Sequence, residues 1–116
     1  MNINPIVMEL AEVTGLPVVP DLYTGEADKW IVFTYADERG ALYGDNHEEY
    51  TEVTIQVTLY TPANFNYMAL KKQIKDALVD RDFQIQSVQS WLEDNDKKAS
   101  YIRHTVFTAY YVGVEG

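Results

Sequence analysis

A chain of 116 residues, 47% hydrophobic and 23% charged, is long enough for one packed core and too short for two domains. It contains no cysteine, which excludes disulfides, thiolate metal sites and cysteine nucleophiles. The formal net charge of −9 repels phosphate backbones, so nucleic-acid binding through a basic face is not expected.

The N-terminus, MNINPIVMELAEV, lacks the positive flank and unbroken apolar run of a signal peptide. No stretch reaches the ~20 apolar residues of a membrane span. A protein folded in the cytoplasm, with no membrane partner, is the expectation. Asn4-Pro5 reads as a helix start with Asn4 as cap, and Ile6, Leu10 and Val13 share a face beside Val7 and Ala11. Gly15 can end that helix in a left-handed conformation. LPVVPDLY is interrupted by Pro17 and Pro20 and can be at most an edge strand.

WIVFTY (30–35) and EVTIQVTLY (52–60) read as strands. In the second, Val53, Ile55, Val57 and Leu59 alternate with Glu52, Thr54, Gln56 and Thr58, the pattern of a sheet with one dry and one wet face. Between them lies YADERGALYGDNHEEY, read as a long polar connection. Thr61-Pro62 reads as the capped start of a second helix, with Tyr67, Leu70, Ile74, Ala77 and Leu78 at helical spacing. Phe83 to Leu92 reads as a strand whose alternation slips near Val88, and EDNDKKAS as a turn. In the last run, YIRHTVFTAYYVGV, Val106, Tyr110 and Val112 point one way and Phe107, Ala109 and Tyr111 the other.

The expected fold is a single α+β domain over residues 1–116, with two helices packed on a mostly antiparallel, twisted sheet of four to five strands. Two helices cover one sheet face. A final strand that is apolar on both faces then needs a second cover, supplied by curling of the sheet or by another subunit.

The connection invites a chemical reading because His47-Glu48 begins the H-E-x-x-H zinc motif. The second histidine is missing; Thr51 stands in its place, so the motif fails. Asp45, Glu48 and Glu49 could offer oxygen ligands to calcium or magnesium, but their spacing matches no calcium loop, and solvated loop charges account for them. His104 reads as a structural histidine within a strand. No nucleophile elbow, Walker loop or dinucleotide glycine pattern occurs. No catalytic residue, cofactor or metal is expected.

The order of features, from LPVVPDLYTG through YADERGALYGD leading into IQVTLYT to the closing YIRHTVFTAYY, resembles the tail terminator or tail-completion (tail-to-head joining) proteins of long-tailed phages and prophages. The resemblance covers nearly the whole chain. It implies a non-enzymatic virion assembly protein that forms a ring, typically a hexamer, caps the tail tube and docks on the head connector. Its place would be the head–tail junction of the virion, after assembly in the host bacterial cytoplasm. Applied to this sequence, it makes Asp37, Glu38, Arg39, Tyr43, Asp45, His47, Glu48, Glu49 and Tyr50 a candidate assembly loop, and Phe107, Tyr110 and Tyr111 a candidate subunit-contact strand. DNA would pass through such a ring without specific binding, and an acidic bore would keep it from sticking. The alternative is a small acidic adaptor or inhibitor that binds a basic host protein, with DNA mimicry as one form of it.

Overall fold

The structure is a computed structural model, described here for residues 3–42, 48–95 and 100–114. Its elements are α1 (Asn4–Met8), α2 (Leu10–Thr14), β1 (Val18–Pro20), β2 (Trp30–Leu42), β3 (Glu48–Pro62), α3 (Met68–Asp80), β4 (Gln84–Asn95) and β5 (Ser100–Val114). The strands form one five-stranded sheet in the order β1-β2-β3-β5-β4. Only β1 runs parallel to its neighbour, and the other pairs are antiparallel. This is the expected α+β class.

Alternation builds the core. Ile31, Leu59 and Thr105 form one cross-strand row, then Phe33, Val57 and Phe107, then Tyr35, Ile55 and Ala109. All but Tyr35 are buried, and Tyr35 packs against them from the margin. In β4 a register shift between Ile85 and Ser87 returns Val88 to the same face, two residues before the position where the sequence pattern slips. From the helices, Ile3, Val7, Leu10, Ile74, Ala77 and Leu78 close the core, each 4% exposed or less. A buried aliphatic side chain of this kind contributes about 1.5–3 kcal/mol through removal of apolar surface from water.

The N-terminal helix differs from expectation in two respects. It is divided at Glu9, and its buried face is Ile3, Val7 and Leu10, leaving Val13 37% exposed. Asn4 is not its cap: Ile3 holds that position and no side chain caps the helix. Asn4 Oδ1 instead accepts a hydrogen bond from Tyr35 Oη at 2.9 Å. Gly15 does end α2, with φ +73° and its N–H donating to Ala11 O at 2.9 Å.

Thr61 and Pro62 do not start a helix. They are the last residues of β3, paired with Arg103 and Ile102, and α3 begins at Met68, whose N–H donates to Asn66 Oδ1 at 3.2 Å. Long pairing with β5 outweighs the local Thr-Pro start signal. At the other end of α3, Arg81 Nε donates to Glu9 Oε1 at 2.9 Å and ties that helix to the break between α1 and α2. Half of EDNDKKAS is likewise ladder, with Glu93, Asp94 and Asn95 in β4 and Ser100 in β5; residues 96–99 lie outside the described residues.

The molecule is elongated. Its radius of gyration is 15.7 Å and its axes are 57 × 25 × 23 Å, whereas a compact chain of this length has a radius of about 13 Å. β2, β3 and β5 run on past the row of Tyr35, Ile55 and Ala109, and Val53 with Tyr111 carries the core one row further.

Candidate assembly surface

The expected connection between β2 and β3 is largely strand. Asp37, Glu38 and Arg39 lie in β2, and Glu48, Glu49 and Tyr50 in β3; Arg39 pairs with Glu52, Ala41 with Tyr50 and Leu42 with Glu48. Tyr43, Asp45 and His47 lie outside the described residues. The polar composition suggested a loop, but ladder hydrogen bonds join backbones and do not require apolar side chains. β3 is also paired on its other side, with Tyr50 opposite Val114 and Glu52 opposite Val112. Two partners hold this part of β3 extended. Register shifts between Tyr35 and Asp37 and between Ala41 and Leu42 add local bends to β2. The contact loop is thus corrected to a hairpin arm.

Phe107, Tyr110 and Tyr111 do not share a surface. Phe107 is fully buried within the chain's own core, so it cannot meet a second subunit without the core opening. Tyr111 turns to the same side and contacts Phe83 at a ring distance of 5.2 Å. Tyr110 faces the opposite side, where its hydroxyl donates to Gln84 Oε1.

That opposite side is the sheet face away from the helices. Toward the arm it carries a hollow of about 430 Å³ lined by Asp37, Glu52, Thr54, Gln86 and Tyr110. A second hollow, about 390 Å³, lies beside it among Val79, Asp82, Phe83, Gln84, Tyr110 and Val112. Both are open, Tyr110 lines both, and the second reaches the end of α3 at Val79.

At the far end of the same face, rings form a row across the sheet. Trp30 pairs with Tyr60, Tyr60 with His104, and His104 with Trp91. The centroid distances are 5.0, 4.5 and 5.6 Å in that order. Tyr23, from the segment after β1, stacks on Trp30 at 5.1 Å and extends the row past β2. Such pairs add about 0.5–1.5 kcal/mol beyond area burial.

Glu93 closes the row. Its Oε1 accepts from Trp91 Nε1 at 2.8 Å and its Oε2 lies 3.1 Å from His104 Nε2. Burial lowers the His104 pKa from its ordinary 6.5, and the Glu93 charge only partly opposes this. The balance is reasonable because the His104 side chain is 15% exposed whereas Glu93 is 52% exposed and well solvated. The same two causes, burial first and Glu93 second, raise the Tyr60 pKa. His104 is therefore held neutral and packed, a structural histidine.

Composition alone does not place these aromatics in one row. Each lies next in sequence to a core-facing residue: Trp30 to Ile31, Tyr60 to Leu59, His104 to Thr105. The offset was legible, whereas the register that aligns the four strands was not.

Among the described residues, no group of three or more histidine and carboxylate side chains is placed to hold a metal ion. Among them too, no helix is long and apolar enough to cross a membrane. The sequence matches no protein-family model and no curated protein.

Proposed function

We propose that this chain is a non-enzymatic phage or prophage assembly protein that caps the tail tube as a ring and joins it to the head connector. The observation that carries the reading is the β2–β3 arm. Its strands run from Trp30 to Leu42 and from Glu48 to Pro62, beyond the row of Tyr35, Ile55 and Ala109, in a molecule 57 Å long. Strands that run on in this way are elements against which a neighbouring subunit or tube can pack. The sheet face away from the helices offers a second surface, polar toward the arm and ring-lined at the other end. The likeness of YADERGALYGD, IQVTLYT and YIRHTVFTAYY to tail-completion proteins supports the same role.

In this reading the subunits form a ring, typically of six, at the head–tail junction. Its partners are copies of itself, the tail tube protein and the head connector protein. DNA passes through without specific binding, kept from sticking by the chain's net charge of −9. Deleting the gene from its phage tests the role. Tails of irregular length that fail to join heads are the expected outcome; normal tails and normal joining would exclude it.

A further inference from the structure

β4 is an edge of the sheet, and among the described residues no strand pairs with its outer side. An unpaired edge offers free backbone N–H and C=O groups to any other strand, and soluble proteins shield such edges with charges, prolines or bulges. The opposite edge of this sheet is shielded in that way. β1 ends on Pro20 with Pro17 just before it, and β2, beyond the reach of β1, runs through Asp37, Glu38 and Arg39. β4 differs. From Gln84 to Leu92 it reads QIQSVQSWL, with no proline and no charge in a chain of net charge −9. Its register shift lies at the start, between Ile85 and Ser87, and Ser87 to Asn95 runs regularly along β5. Ser87, Gln89 and Ser90 are exposed, as are Trp91 at 40% and Leu92 at 46%.

Trp91 marks the middle of this open run. One face of its indole stacks on His104 at 5.6 Å and 18°, and Glu93 holds the ring through its bond to Nε1. Among the described residues no ring covers the other face, so the row of rings stops at the sheet edge. The rings of the row are spaced much as neighbouring strands are, at about 4.8 Å. One more strand, carrying one more ring, would continue it.

We infer that two copies of this chain pair through β4, antiparallel, about a two-fold axis at Trp91. Trp91 lies midway between Ser87 and Asn95, so this register pairs the whole regular run with itself. The two indoles then stand opposite each other, and the two rows of rings become one. The charges fit as well. Glu93 and Asp94 both lie at one end of β4, and antiparallel pairing sets them opposite Gln89 and Val88 of the second copy. Glu93 faces an amide able to donate to it and stands roughly 14 Å along the strand from its own counterpart. That exceeds the screening length of about 8 Å at physiological salt. Pairing in this way covers both unshielded edges and leaves only shielded ones outside, so association stops at the dimer. A contact from β4 to β2 of a neighbour would leave one unshielded edge exposed in every open string of copies. The inference concerns the free chain and does not rest on the assembly role. A two-fold contact joins like patches, whereas neighbours around a ring meet through unlike ones.

The absence of native cysteine makes cross-linking a clean test. Residues directly opposite in an antiparallel pair have Cα atoms about 4.5–5.5 Å apart, within disulfide reach. Under mild oxidation Trp91→Cys should link two chains, as should Gln89→Cys/Glu93→Cys, which keeps the indole. Ser87→Cys should not, since its counterpart lies roughly 27 Å away along the strand. In sedimentation velocity over a micromolar-to-millimolar series, wild type should be a concentration-dependent dimer. Trp91→Lys sets two like charges opposite each other on the axis and should weaken that dimer about 30-fold or more, with the circular dichroism of a folded chain. A wild-type chain that stays monomeric throughout would overturn the inference. So would association that neither cross-links at these positions nor responds to Trp91→Lys. Either result leaves the assembly role to be judged by the gene-deletion phenotype.

Discussion

Tyr35 and Asn4 are joined across the fold: Tyr35 Oη donates to Asn4 Oδ1 at 2.9 Å while accepting the Ile3 N–H at 3.0 Å. One hydroxyl on β2 thereby anchors the start of α1. Tyr35→Phe keeps the ring but leaves the part-buried Ile3 N–H without its acceptor. The expected cost is about 1–3 kcal/mol, the penalty for a buried donor left unpaired. Urea unfolding with an unchanged m-value measures it.

Phe107 lies in the core row of Phe33 and Val57, between Val57 and Val88. Phe107→Ala should cost about 3–5 kcal/mol, from lost transfer energy and the cavity left behind. Chemical denaturation checks the figure. A value near zero would mean that the ring is not packed inside the monomer.

Gly15 is at φ +73° with nothing within 4 Å of the position a Cβ would take. A substitution there meets no clash, so its cost is purely that of the left-handed backbone. Gly15→Ala should destabilise by about 1 kcal/mol, and Gly15→Asn by less. Thermal unfolding of the two variants gives the comparison.

His104 makes stability depend on pH. Burial holds its folded-state pKa below the ordinary 6.5, so folding favours the neutral ring. Its contribution is complete above 6.5 and is lost as pH falls through the folded value. The stability advantage of wild type over His104→Gln should therefore shrink from about pH 7 to about pH 5. Glu93→Gln removes the opposing attraction and should move His104 protonation to still lower pH. Proton NMR of the imidazole ring follows that titration directly, and an upward movement would contradict the account.

Much of the fold was legible because alternation in 52–60 and helical spacing in 70–78 follow from burial, which acts residue by residue. The errors share a cause. Thr61-Pro62, Glu93 to Asn95 and the segment from Asp37 to Leu42 carry local signals for caps, turns or loops, yet each is held extended by pairing with another strand. Register is a property of two segments at once, and one segment's composition does not reveal it. For the same reason the ring row through Trp30, Tyr60, His104 and Trp91 was hidden.

The central claim is that this chain assembles on a tail tube. Negative-stain electron microscopy of the purified protein mixed with tail tubes of its own phage tests it most directly. The account predicts a ring seated on one end of each tube, and no ring on tubes prepared without the protein. Bare tube ends beside free, monomeric protein would contradict it.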